Sequence, residues 1–342
     1  MRFNFIKKLP TPKELKEIYP INKSLYNLKL NRDREIENIF LGLDKRFIVI
    51  VGPCSAHDRD SVLDYCVRLS KIQDKLTSKL LIIPRIYTNK PRTNGSGYKG
   101  LLHQPDPNKE PNMLDGIIAI RNLHLDVLEY SGLSTADEML YPENHRYIND
   151  ILSYVAVGAR SVENQFHRLA ASGVGIACGM KNPTFGDFNT LINSVYAAQN
   201  PHTFIYRGWE VTTDGNELAH CILRGYTDRS GRNIPNYHLN DVLNLYKINM
   251  NNNIKNPSVI IDLNHSNSNK DYKKQIDIAY NILDYRKNDI TLQKFIKGFM
   301  IESFIVEGCQ PVNGEIYGKS ITDPCLGIED TENLLNYIAE NI

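Results

Sequence analysis

The sequence of 342 residues has no apolar run approaching the roughly eighteen residues that a membrane-spanning helix needs. A chain threaded through a bilayer by helices is therefore not expected. Its opening, Met1-Arg2-Phe3-Asn4-Phe5-Ile6-Lys7-Lys8, carries an apolar patch too short for the core of a secretion signal, with no small-residue cleavage site after it. A cytoplasmic protein is the expectation. An excess of one charge is also missing. Forty Lys and Arg stand against thirty-nine Asp and Glu, a net charge of +1, so no global field recruits nucleic acid or anionic lipid. Any anionic ligand must then be met by local cations. The six cysteines, Cys54, Cys66, Cys178, Cys221, Cys309 and Cys325, form no CxxC pair, and a chain of this length does not need disulfide staples. Reduced thiols are expected. Internal repeats and low-complexity tracts are absent as well, which leaves an ordinary globular composition, 42% hydrophobic and 23% charged.

What the chain does have is a rhythm. Short runs dense in Val and Ile, each followed by a loop and a segment with helical spacing, recur at 47–53, 80–87, 134–140, 154–160, 175–181, 219–224, 258–264 and 297–304. Helical segments fit between them at 58–75, 115–130, 144–153, 163–171, 187–198 and 270–286. Eight such βα units predict an α/β fold of the (β/α)8 or TIM-barrel type, although periodicity alone leaves an open doubly wound sheet as an alternative. Residues 1–46 read as an N-terminal helical extension and 47–342 as the catalytic barrel. An inserted β-hairpin before strand six, at about 203–217, is suggested by two apolar runs and the turn Asp214-Gly215.

Barrel enzymes carry their chemistry at the C-terminal ends of the strands, and those ends are informative here. Arg85, Lys90, Arg160, Lys181 and Arg224 fall on that rim. Five cations converging on one concave face repel one another unless anions are bound among them, so a highly charged small molecule is expected. Cys54, His265, Glu302 and Asp323 reach the same rim from strands one, seven and eight and the loop after eight, which are neighbours in a closed barrel. Together they make a mixed S/N/O ligand set for one divalent transition metal ion, Mn, Fe, Co or Zn.

The motifs Gly52-Pro53-Cys54-Ser55, Lys90-Pro91-Arg92-Thr93, Gly158-Ala159-Arg160, Ile222-Leu223-Arg224-Gly225, Asp262-Leu263-Asn264-His265-Ser266 and Gly318-Lys319-Ser320-Ile321-Thr322-Asp323 resemble those of the type I 3-deoxy-D-arabino-heptulosonate 7-phosphate (DAHP) synthases, in the branch common in enteric bacteria and fungi. That resemblance implies a metal-dependent condensation of phosphoenolpyruvate with erythrose 4-phosphate, the entrance to the shikimate pathway. It implies Cys54, His265, Glu302 and Asp323 as metal ligands and Arg160 and Arg224 as clamps on the phosphoenolpyruvate phosphate. Arg85 and Lys181 become its carboxylate partners, and Lys99 and Glu138 border the same pocket. Arg92 and Thr93 hold the phosphate of erythrose 4-phosphate, Pro91 shapes that pocket, and Asp323 touches the sugar hydroxyls. Lys90, Lys181 and Glu138 are the candidate catalytic groups. A homo-oligomer, dimer or tetramer, is expected, with no nucleic-acid or membrane partner.

Two other readings compete with this one. A 3-deoxy-D-manno-octulosonate 8-phosphate synthase, which takes arabinose 5-phosphate, carries Asn where this chain has Pro91. A catalytically inactive regulatory barrel should lack a ligand or a clamp, and none is missing. The segment Met139 to Asn144 and the hairpin residue Tyr206 depart from the regulated members of the family. There a phenol would overfill an effector pocket, so inhibition by phenylalanine or tyrosine is not expected; a pocket rebuilt for another end product such as tryptophan is the alternative.

Overall fold

The computed structural model describes residues 2–92 and 94–342. The apolar runs become eight barrel strands: β1 (Phe47–Gly52), β2 (Leu80–Pro84), β3 (Ala136–Glu138), β4 (Tyr154–Val157), β5 (Ala177–Lys181), β6 (Ala219–Leu223), β7 (Val259–Asp262) and β8 (Ile296–Glu302). They hydrogen-bond in the order β2-β1-β8-β7-β6-β5-β4-β3, every neighbouring pair parallel. A parallel bridge between Arg85 and Ala136 joins the two ends of that order, and Ile86 donates its N–H to the Ala136 carbonyl at 2.8 Å. The sheet thus closes on itself as the expected barrel, which excludes the open doubly wound alternative.

Every strand is buried on both faces, and the period-two alternation divides its side chains between two cores. Ile48, Ile50, Leu81, Ile83, Tyr154, Ala156, Ile222, Ile260 and Met300 pack together in the lumen. Val49, Val51, Ile82, Val155, Val157, Leu223, Ile261 and Phe299 face the surrounding helices.

Around the sheet lie α3 (Arg59–Leu76), α4 (Met113–Ser131), α5 (Pro142–His145), α6 (Gln165–Ala171), α7 (Phe188–Gln199), α8 (Leu239–Asn251), α9 (Lys274–Lys287), α10 (Ile290–Phe295) and α11 (Ile328–Asn341). Asp58, Asn112, Asn164, Asp187 and Asp289 accept backbone N–H groups in the first turns of α3, α4, α6, α7 and α10; such caps contribute about 1 kcal/mol each. Ahead of the barrel run α1 (Pro12–Ile18) and α2 (Lys23–Leu41). The second of these plugs the N-terminal end of the barrel: Ile36, Ile39 and Phe40 join the lumen core, and Phe40 stacks on His220 at 4.2 Å between ring centroids.

Two local expectations were not met. The helix expected over 144–153 shrinks to the four residues of α5. A longer helix would need the Tyr147 carbonyl for the N–H of Ile151. Arg121 takes that carbonyl at 2.8 Å, and Ile151 bonds to Ile148 instead. In the inserted hairpin, His202–Tyr206 pairs antiparallel with Trp209–Thr213. Its turn is Arg207-Gly208, both at positive φ (55° and 80°), as two-residue hairpin turns favour; Asp214-Gly215 lies beyond the second strand.

Candidate active site

Each barrel strand delivers its last side chains to one rim, and three of the four expected metal ligands, from β1, β8 and the loop after β8, lie together there, with His265 after β7 outside that group. Ligand atoms of Cys54, Glu302 and Asp323 lie within 4.8 Å of one another, with Cys54 Sγ 3.4 Å from Asp323 Oδ2. His265 approaches from the Glu302 side, its Nε2 3.7 Å from Glu302 Oε1. His265 has a left-handed backbone, φ 51°, and its imidazole Nδ1 lies 2.8 Å from Asp262 Oδ2. Burial holds the imidazole pKa below its ordinary value, which favours the neutral ring. Burial, reinforced by Glu302, pushes the Cys54 thiol up. Lys90 Nζ sits 2.9 Å from both Cys54 Sγ and the Cys54 carbonyl.

Beside this cluster the cations are paired. Arg85, 1% exposed, places Nη2 2.9 Å from Glu302 Oε1 and donates from Nη1 to the Pro53 carbonyl. Its guanidinium carbon stands 3.9 Å over the Tyr87 ring, while its Nε is buried without a partner. Lys181 meets Asp262 at 3.2 Å and lies 5.6 Å from the centre of the same ring. Burial would raise the Asp262 carboxyl, but His265, Lys181 and Arg224 together hold it well below the usual range. Glu302 behaves likewise: burial opposes its ionisation, and Arg85 and His265 keep its pKa below the ordinary value. Arg224 is held down by burial first; Asp262 works against that and the neighbouring Arg160 with it. Two adjacent guanidinium groups of this kind suit a doubly charged phosphate.

Glu138 fits because of a glycine. A Cβ on Gly158 would stand 2.2 Å from Glu138 Oε1, so the Gly158-Ala159-Arg160 motif leaves room for that carboxylate. The neighbouring Asp137 accepts the Thr88 and Glu138 N–H groups at 3.0 and 2.7 Å, strapping β3 to the segment after β2. In the loop after β2, Lys90 N–H donates to the Lys99 carbonyl at 3.1 Å and Arg92 Nε to the Tyr98 carbonyl at 2.8 Å. This ladder holds Pro91, Arg92 and Lys99, all partly buried, on one folded loop. Thr93 lies outside the described residues.

A family model described as the DAHP synthetase I family matches residues 20–336. The chain belongs to that family. Among its relatives, the phospho-2-dehydro-3-deoxyheptonate aldolase of Haemophilus influenzae is 37% identical over 97% of this chain and 91% of its own length. The Phe-sensitive phospho-2-dehydro-3-deoxyheptonate aldolase of Escherichia coli K12 is 37% identical over 100% of this chain and 97% of its own. The solved structure of phospho-2-dehydro-3-deoxyheptonate aldolase from Francisella tularensis superimposes with a TM-score of 0.92 at 35% identity, covering 100% of this chain and 98% of that one.

Membership of the DAHP synthetase I family implies a divalent metal ion, and the residues at this rim fit one. Glu302 Oε1 is buried with no donor aligned on it, although Arg85 lies 2.9 Å away. Its other oxygen is already taken by Asn264 Nδ2 at 2.6 Å. The donor set of thiol, imidazole and carboxylates is that of a transition-metal site.

Three groups at this DAHP synthetase site carried no role in the sequence reading. Asp262 ties His265 to Lys181, Asn264 orients Glu302, and Tyr87 underlies both cations. The first two stand inside the Asp-Leu-Asn-His-Ser motif, and Tyr87 lies two residues beyond Arg85, so a shared strand face was the available signal. Away from the mouth, a cavity of about 570 Å³ opens between the hairpin, α5 and α6. Tyr206 lies on its wall, beside Phe166 at 5.7 Å between centroids. The residue lines the space and leaves it open.

Proposed function

We propose that the mouth of the barrel condenses phosphoenolpyruvate with erythrose 4-phosphate and water, giving DAHP and inorganic phosphate. The observation that carries this reading is the placement of two buried ion pairs, Arg85–Glu302 and Lys181–Asp262, against the Cys54–Glu302–Asp323 cluster. Fixed cations with fixed counter-charges bind an anion without having to reorganise during the reaction.

In this reading Arg160 and Arg224 hold the phosphate of phosphoenolpyruvate, Arg85 and Lys181 its carboxylate, and Lys99 and Glu138 border the pocket. Arg92 and Thr93 hold the phosphate of the aldose, Pro91 shapes its site, and Asp323 reaches the sugar hydroxyls. Cys54, His265, Glu302 and Asp323 would hold the metal, manganese, iron, cobalt or zinc, which when bound polarises the aldehyde oxygen as a Lewis acid or orients water. C3 of phosphoenolpyruvate forms the new bond to the aldehyde carbon, and the aldehyde oxygen gains a proton. Water adds at C2, losing a proton, and the bond from C2 to the ester oxygen breaks to release phosphate. Lys90 and Lys181 are the proton carriers of this scheme, and Glu138 offsets positive charge developing at C2.

The same reading takes residues 1–46 as an extension of the 47–342 catalytic barrel and the protein as cytoplasmic; no helix among the described residues is long and apolar enough to cross a membrane. It also takes the protein as a homo-oligomer, dimer or tetramer, with the exposed Ile205 and Trp209 of the hairpin as apolar surface for a second copy. The test separates the two anions. Arg92→Ala should raise KM for erythrose 4-phosphate by roughly two decades with little change for phosphoenolpyruvate, and Arg224→Ala should do the reverse. Equal effects of each substitution on both substrates would overturn the assignment.

A further inference from the structure

The opposite end of the barrel holds a second concentration of cations. A cavity of about 810 Å³ lies between the end of α2, the first residues of β1 and β8, and the α9–α10 corner. Lys45, Lys79, Arg286, Lys294 and Lys297 line it, and among the described residues none of the five has a carboxylate within ion-pair distance inside this cavity. Asp44, on the same wall, is already bound by Arg46 at 2.7 and 2.9 Å. Glu340 is the other acidic side chain lining the space.

Arg286 is the telling residue. It is only 9% exposed, yet it is satisfied by two carbonyls, Ile296 at 3.4 Å and Gln293 at 3.0 Å, and by the Phe47 ring 5.0 Å away. Elsewhere the fold gives its buried arginines carboxylates: Arg121 grips Asp150 with two bonds of 2.9 Å, and Arg85 meets Glu302. Burial pushes the Arg286 guanidinium down to about 10. Lys297 is lowered by burial and then by Arg286 itself. The Lys297 ammonium stands within about 4 Å of where a Cβ on Gly42 would lie, at the C-terminus of α2, whose partial negative charge offsets one cation and not five. Lys45, Lys79 and Lys294 are exposed, but Arg286 is buried and Lys297 half-buried, and two like charges under that much burial are costly unless an opposite charge is brought to them.

We propose that this foot of the barrel is a binding site for a small organic polyanion, one that presents two or more phosphate or carboxylate groups to Lys79, Arg286 and Lys297. The volume lies within the range of ligand pockets of about 300–1,000 Å³. Its place at the N-terminal face, away from the rim where barrel enzymes do their chemistry, makes it a binding site and not a second catalytic centre.

The test uses metal-free protein titrated calorimetrically with inorganic pyrophosphate in one arm and citrate in the other, because the catalytic mouth also binds anions. Lys79→Gln/Lys297→Gln removes two partly or fully exposed cations of the foot, and Arg92→Ala/Arg224→Ala removes two at the mouth. At least one probe should bind the mouth variant, and that binding should weaken about tenfold or more in the foot variant. The foot variant should keep the wild-type kcat, which reports that it has folded. Lys45→Gln/Lys294→Gln should weaken the same probe if the first pair disturbs the fold. Which probe binds distinguishes phosphate from carboxylate recognition. No binding of either probe to the mouth variant, or binding unchanged in both foot variants, would overturn the proposal.

Discussion

At the mouth of the barrel Arg85 meets Glu302 at 2.9 Å and Lys181 meets Asp262 at 3.2 Å, whereas at the foot Arg286 has two carbonyls and the face of Phe47. Both ends gather cations, but the buried arginine of the mouth has a carboxylate partner and the buried arginine of the foot has none. Pairing fixes a guanidinium or an ammonium in one position before any ligand arrives, which suits a site that must orient reacting atoms. A buried, carboxylate-free cation such as Arg286 is held at an energetic cost and gains most from a ligand that brings the missing charge. The same residue types therefore make a reaction site at one end and a binding site at the other.

The largest effect that would break this contrast is loss of the metal ligands at the mouth. Chelation should abolish activity, and Cys54→Ala or His265→Ala should weaken manganese binding by more than about a hundredfold, since changes in the groups behind the ligands alone cost 10–100-fold. Direct metal titration reads this, and full activity of the His265 variant after exhaustive metal removal would contradict it. Next comes stability. Arg85→Met leaves the buried Glu302 carboxylate without its cation and should cost about 3–5 kcal/mol in a urea unfolding measurement. Lys79→Gln at the foot should stay within about 0.5 kcal/mol of wild type. Comparable losses at both ends would erase the distinction.

A third effect tests the plug beneath the foot. Burial holds His220, under Phe40 and bonded to the Tyr154 hydroxyl at 2.8 Å, down at about 4, below the ordinary 6.5. Below pH 6.5 the unfolded chain takes a proton that the folded chain refuses, so stability should fall as pH drops from about 6.5 toward 4. At pH 5 this single group accounts for roughly 2 kcal/mol. His220→Gln should be less pH-sensitive than wild type by that amount over the pH 7 to 5 interval, and an unchanged slope would remove His220 from the explanation. A last effect concerns the groups behind the metal ligands. Asp262→Asn should lower manganese affinity about 10–100-fold while the chain stays folded, because His265 loses the carboxylate facing Nδ1. Unaltered affinity would show that Asp262 serves Lys181 alone.

The barrel was legible because its signal is local: Val and Ile runs of strand length, each followed by a helical segment, state the unit and its repetition. The mouth was legible because charged residues stand at fixed places relative to those strands, so Cys54, Glu302 and Asp323 fall at neighbouring strand ends, where the fold brings them together. Direction and partnership were not legible. Residue type gives the volume of Tyr206 but not that it lies along a cavity wall. Nor does sequence say that Arg121 would take the Tyr147 carbonyl and end a helix, or that Arg286 would be buried without a carboxylate. These are decided by contacts between segments far apart in the chain, where tertiary packing overrides local pattern.

The most direct measurement is one assay of phosphoenolpyruvate consumption with manganese and either erythrose 4-phosphate or arabinose 5-phosphate, followed by identification of the sugar product. Consumption with erythrose 4-phosphate, one inorganic phosphate released for each seven-carbon DAHP formed, is the expected result. Consumption with arabinose 5-phosphate alone, or with neither aldose, would contradict a DAHP synthase site at the barrel mouth.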